Sequence, residues 1–252
     1  MHRSRMNRLD AVTIRIGLPD TQKYRAVETF GLPWITPSRS TLHVIDYRPG
    51  SAPSSLASAG VTISIHDSGD LSLLTVQVRH VWPTRLPARW TAFYGRNGET
   101  LRIEEERDST RRVLAASYSA PSRLAARALA DADLRLTDLL TPSQLSFSRD
   151  CAPGQPRAVP LDLFGPITVL SWTVRLDRVD ATVTVWRLPA VHDEPAAELM
   201  EVSRRSALTE AGFIYPVLAA SIRRRGLDPD GGIPWLEMRA ARWLSEPTRT
   251  TE

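Results

Sequence analysis

The sequence predicts an α+β fold: an antiparallel β-tunnel, closed or nearly closed, of about eight strands, with flanking and C-terminal helices. Three observations predict it. β-Branched runs recur in pairs around turns rich in Gly, Asn and Asp, which is the signature of hairpins. Helical periodicity appears late in the chain. No alternation of strand and helix occurs, which argues against a doubly wound parallel sheet. Long antiparallel edges invite pairing with other chains, so the sheet is expected to close or to be covered. The whole of residues 1–252 reads as one domain.

The elements follow in order. Val12–Leu18 alternates and is closed by Pro19, so it reads as a strand. Thr21–Phe30 is a short helix candidate and Leu42–Asp46 a second strand. Val61–His66 and Leu71–Arg79, joined across Asp67-Ser68-Gly69-Asp70, read as a hairpin. Trp90–Tyr94 and Thr100–Glu106 flank Asn97-Gly98, the strongest short hairpin turn. Ser122–Leu140 repeats leucine and alanine near helical period, and residues 141–165 read as a Pro-rich loop. Ile167–Leu176 and Ala181–Leu188 make a third hairpin around Asp177–Asp180, and Leu199–Val202 a short strand. Ser206–Arg225 reads as a helix that Pro216 should kink, and Pro234–Leu244 as a last helix.

Composition narrows the function classes. The chain is 42% hydrophobic and 24% charged, which is globular rather than disordered. Cys151 is the only cysteine, so neither an intrachain disulfide nor a cysteine-based zinc site is available. The formal charge is +4, and Lys23 is the only lysine among 32 basic residues. Any phosphate or carboxylate this chain grips is therefore gripped by arginine forks. The basic run Arg223–Arg225 sits just before Gly226, where cations favour the carbonyl end of a helix dipole. Without a longer basic stripe interleaved with aromatics, no nucleic-acid partner is expected. No apolar run reaches the ~18 residues of a membrane span, so no membrane partner is expected either. Met1–Arg8 is basic but no apolar stretch follows it, which points to the cytoplasm. The five histidines fall at no metal-ligand spacing, and the phosphate-loop, zinc-protease and serine-hydrolase motifs are missing.

Three segments carry a resemblance. They are Ala11–Asp20; Ile45-Asp46-Tyr47 followed by Leu56–His66; and Glu198–Val202, a helix, Arg-Arg-Gly-Leu-Asp-Pro and Pro234–Arg242. Their order is similar to that of the CYTH, or triphosphate tunnel, family, which includes inorganic and thiamine triphosphatases and class IV adenylyl cyclases. Members open on E-x-E-x-K and continue through D-T-P, L-x-x-A-G-V-x-L-R-x-R, L-x-L-K and R-x-E. They end on E-x-E and a helix closing on G-L-x-P. The resemblance implies eight antiparallel strands closed into a charge-lined tunnel, with basic side chains on a triphosphate and glutamates on Mg²⁺ or Mn²⁺.

Residue by residue the match is incomplete. The first-strand glutamates fall on Ala11 and Thr13, and only the cation is kept, as Arg15. The arginines after A-G-V fall on Ser64 and His66, and the next lysine on Gln77, with Arg79 in phase. R-x-E is kept as Arg102-Ile103-Glu104, with Glu106 in phase. Arg175 stands for the later arginine, Glu201 and Ser203 for the terminal E-x-E, and Asp46 for the aspartate of D-T-P. Arg15, Arg102 and Arg175 are expected to converge inward, facing Glu104 and Glu201.

The candidate ligand-binding residues are thus Arg15, Asp46, His66, Gln77, Arg79, Arg102, Glu104, Glu106, Arg175 and Glu201. No metal ligand set and no cofactor is expected; Mg²⁺ or Mn²⁺ enters only if the reduced site still binds it. The expected partner is a small anionic or polar ligand, with room for a homodimer. Three readings stay open: a tunnel binding an anionic or phosphorylated ligand without the family's metal chemistry, an active triphosphatase, cyclase or metal-free enzyme, and an interaction module.

Overall fold

The computed structural model describes residues 8–48, 52, 54–69, 71–79, 86–93, 95, 97–108, 111–122, 135–155, 158–190 and 195–229. Nine strands close on themselves: β1 (Ala11–Leu18), β2 (Ser38–Tyr47), β3 (Val61–Asp67), β4 (Ser72–Arg79), β5 (Thr100–Arg107), β6 (Arg112–Pro121), β7 (Leu161–Leu176), β8 (Val179–Leu188) and β9 (Ala197–Ser206). Their order around the barrel is β1-β5-β6-β4-β3-β2-β7-β8-β9. All pairs are antiparallel except β1 with β5, which run parallel from Ala11 beside Glu104 to Ile14 beside Arg107.

The barrel is apolar on its outside. Alternation puts Val12, Ile14, Ile16 and Leu18 on the outer face of β1 and Thr13 and Arg15 on the inner face. Two clusters cover the outer wall. On one side α4 (Pro142–Cys151) lays Phe147 over Ile63, Val76, Ile103 and Tyr118, with Trp90 from α2 (Ala88–Thr91) and Leu136 from α3 (Leu136–Leu139). On the other, α1 (Lys23–Thr29) and α5 (Ala211–Arg224) pack Ala26, Leu218 and Ile222 against β1, β7, β8 and β9. Each large apolar side chain buried this way contributes about 1.5–3 kcal/mol.

Local chemistry fixes the helix ends. Thr141 and Gln144 form a capping box at α4, with Pro142 in the first turn. The Gln144 amide, fully buried, donates to the Leu74 carbonyl at 2.8 Å and so pins the helix to the barrel. At the end of α5, Gly226 (φ 71) donates to the Arg223 carbonyl and Leu227 to that of Ile222. This is a Schellman closure, with Leu227 buried beside Ile222 in the same cluster.

Several expectations need correction. The described residues of Trp90–Tyr94 form no strand: Ala88–Thr91 is a helical turn, and Trp90 instead sits in an aromatic cluster with Phe93, Tyr118 and Phe147. Asn97 and Gly98 both take positive φ, as the turn reading requires, but β5 pairs with β6 and β1, and no strand stands among the described residues just before the turn. Residues 141–165 are not a loop, since α4 and the first residues of β7 lie there. The helix expected from Ser206 begins at Ala211, because Ser206 still pairs with Val12 in the sheet. It continues through Pro216. Most of the helix expected over Ser122–Leu140, and all of that over Pro234–Leu244, lies outside the described residues.

One charge cluster ties α5 to the barrel. Asp177, at positive φ in the β7–β8 turn, accepts from the Ser221 hydroxyl at 2.6 Å and from Arg224 and Arg225. Ser221 and then the two arginines hold its carboxyl down at about 2. A carboxyl depressed on folding stabilises above its unfolded value and loses that contribution as pH falls through its folded value. Asp177→Asn keeps the turn geometry, which Asn tolerates, and removes the charge. The variant should melt below wild type at neutral pH. The gap should close between about pH 4, the ordinary Asp value, and pH 2 in a thermal-melt series.

Candidate functional site

The inner face of the barrel concentrates its charge where β1, β4, β5 and β9 converge. Glu106 is the centre. Only 3% exposed, it accepts from Arg79 Nε at 3.1 Å and Gln77 Nε2 at 3.2 Å, and pairs with Arg15 Nη2 at 3.5 Å. Arg15 reaches on to Glu201 at 3.5 Å, and Arg79 to the Thr62 hydroxyl at 3.4 Å. A second group adjoins along β5: Glu104 accepts from Arg205 Nε at 2.8 Å and from the Thr13 hydroxyl at 3.0 Å. Arg102, two residues before Glu104 on the same face, is exposed and makes no hydrogen bond or ion pair with a described residue.

These contacts follow from strand phase. Residues i and i+2 share a face, so Thr13 with Arg15, Gln77 with Arg79, Glu104 with Glu106, and Glu201 with Ser203 and Arg205 all point one way. Register then aligns them: Arg15 lies opposite Ser203 and Gly17 opposite Glu201. The outer-face neighbours Leu101 and Ile103 are buried under the helices, as the alternation of β5 requires.

Of the candidate residues, the structure gathers Arg15, Gln77, Arg79, Glu104, Glu106 and Glu201 into this network and places Arg102 beside it. It does not bring in the other three. Asp46 is buried at the end of β2, where one oxygen accepts from the Tyr47 and Leu56 amides at 2.7 and 2.6 Å and anchors the loop before β3. Burial raises its carboxyl above the usual range although these amides favour the charged form. Arg175 lies near the β7–β8 turn, paired with Asp180 at 2.9 Å, so it does not converge with Arg15. His66 Nε2 sits 2.5 Å from Ser40 Oγ, next to the Asp67 end of β3. Thr13, Thr62 and Arg205 join the network although none was among the candidate ligand-binding residues. Their phase with Arg15, Ser64 and Glu201 was the available signal.

No family model matches the chain, and no curated protein matches it by sequence. Solved structures do. A protein from Hippeastrum, assigned as an adenylyl cyclase and described as having a dominant triphosphatase activity, superposes with a TM-score of 0.51 at 10% identity. That match covers 91% of this chain and 95% of the other. A protein from Bacillus halodurans assigned as an adenylate cyclase superposes with a TM-score of 0.54 at 8% identity, covering 92% and 98%. The fold is that of the CYTH-like tunnel proteins. At such identity the likeness fixes the CYTH-like architecture and leaves the chemistry to the residues that line it.

Removing one partner from a buried ion pair strands the other charge, which typically costs 3–5 kcal/mol. Arg15 keeps some solvent, so Glu106→Ala should lower unfolding free energy by about 3 kcal/mol in a denaturant titration. The double variant Glu106→Ala/Arg79→Ala should lose less than the sum of the single losses, because the stranded guanidinium is gone.

Proposed function

We propose that this tunnel binds a small anionic or phosphorylated ligand at the arginine side of its interior, without the metal-dependent triphosphate chemistry of the family. The observation that carries the reading is the way Glu106 holds Arg15 and Arg79 together inside the barrel, with Arg102 beside them exposed and carrying no ion pair to a described residue. Guanidinium forks already oriented by carboxylates lose less entropy on gripping an anion, and each charge-assisted bond to phosphate or carboxylate is about twice as strong as a neutral one.

Mg²⁺ or Mn²⁺ fits these residues poorly. Divalent cations need convergent oxygen ligands. Ala11 and Thr13 supply no charge where carboxylates would stand, and Glu104, Glu106 and Glu201 are each engaged by arginine. Among the described residues no three His, Cys, Asp or Glu side chains are grouped to hold a metal. The reading therefore routes no step through a cation.

Purified protein should release phosphate from tripolyphosphate or ATP at background rate with Mn²⁺ present; robust metal-dependent turnover would favour the enzyme reading instead. Tripolyphosphate should still raise the melting temperature in EDTA. Arg102→Ala should reduce that rise by at least half while leaving the ligand-free melting temperature unchanged, since the side chain is exposed and without an ion pair to a described residue. Converting Ala11→Glu together with Thr13→Glu should increase Mn²⁺ affinity measured by calorimetry, because Thr13 already touches Glu104.

A further inference from the structure

The inner wall is not uniform along the barrel. On β8 the inward residues run Leu188, Trp186, Thr184, Thr182, Asp180; on β9 they run Leu199, Glu201, Ser203, Arg205. On β7 the same sequence is Ile167, Val169, Ser171, Thr173, Arg175. The strand pairings align these series: Ile167 and Val169 lie beside Leu188 and Trp186, Trp186 opposite Leu199, and Thr184 opposite Glu201. Val44, Phe164, Ile167, Leu188 and Leu199 form an apolar cluster of their own, with Leu42 and Trp186 half-buried at its margin. This cluster belongs to neither outer wall. Val44 stands opposite Ser64, on the face away from Ile45 and Ile63, which pack beneath α4.

We infer that the tunnel takes an amphipathic anion: a single anionic head at the arginine side and an apolar or aromatic body against Trp186, Leu42 and Leu199. The inference rests on the anion-binding reading and names its ligand class. Two features support it. First, Leu199 and Glu201 are two residues apart on one strand face, about 7 Å, so apolar and charged surfaces meet within one small molecule's length. On the neighbouring strands a hydroxyl pair, Ser171 with Thr184 at 3.4 Å, stands level with Glu201, one step along from Val169 and Trp186. Second, among the described residues the charge balance is nearly even. Arg15, Arg79, Arg102 and Arg205 face Glu104, Glu106 and Glu201, a surplus of one positive charge. Arg175 is cancelled by Asp180. A surplus of one suits one negative charge. The remaining affinity then comes from apolar contact, which a bare polyphosphate lacks.

The test is calorimetry on the full chain with acetate, butanoate, hexanoate and octanoate, with octanol and inorganic phosphate as the body alone and the head alone. Affinity for the wild type should rise by up to about fourfold per added methylene over the series. Octanol should bind at least tenfold more weakly than octanoate. Arg102→Ala should weaken every carboxylate by a similar factor, whereas Trp186→Ala should flatten the dependence on chain length. The wild-type series decides the matter even if the Trp186 variant fails to fold. Binding independent of chain length, or octanol binding as tightly as octanoate, overturns this inference and leaves anion binding standing. No saturable binding by octanoate, phosphate or tripolyphosphate overturns both.

Discussion

The buried carboxylate of Glu106 is the interaction on which the interior depends. A closed barrel whose apolar faces point outward must place polar side chains inside, where charges are costly unless paired. Effective penalties run to several kcal/mol per ion even after relaxation. Glu106 meets that constraint for three strands at once, taking Arg79 and Gln77 from β4 and Arg15 from β1. Glu201 completes the pairing of Arg15 from the opposite side. Arg15, Arg79 and Glu106 are therefore held in place by pairing with one another.

The inverted polarity explains the rest of the architecture. A barrel with charge over much of its interior has only the small apolar cluster around Ile167 and Leu188 inside and must bury most of its apolar surface outside. The two outer clusters hold that surface, and the helices exist to cover them. Phe147 and Gln144 of α4 close one wall, while Ile222 and Leu218 of α5 close the other. Aligned on this support, the inner side chains keep a fixed register, which sets the interior arginines in place.

Strands were legible where sequence and context agree. Val12–Leu18 and Val61–Arg79 alternate β-branched and polar residues; the first forms a strand and the second the hairpin that was read. β6 was missed because Leu114-Ala115-Ala116 and its serines carry weak strand propensity; the neighbours β4 and β5 impose the strand there. α4 was hidden by the proline of Thr141-Pro142, read as a loop although Thr-Pro-x-Gln is a helix start. In the site, the resemblance pointed to Arg15, Gln77, Glu104 and Glu201, and strand phase added Arg79 and Glu106; the structure gathers all six. Neither signal says at which end of the barrel a residue falls, and Arg175 lies beside the turn. Asp46 carried the family's position but spends its oxygens on backbone amides.

The most direct measurement is a crystal structure of the full chain soaked with tungstate and, separately, with Mn²⁺, located by anomalous scattering. Tungstate density inside the barrel, within hydrogen-bonding distance of Arg102 and of Arg15 or Arg79, with no Mn²⁺ peak at Glu106 or Glu201, is the predicted result. A Mn²⁺ peak bridging Glu106 and Glu201, or tungstate bound only on the outer surface, would contradict it.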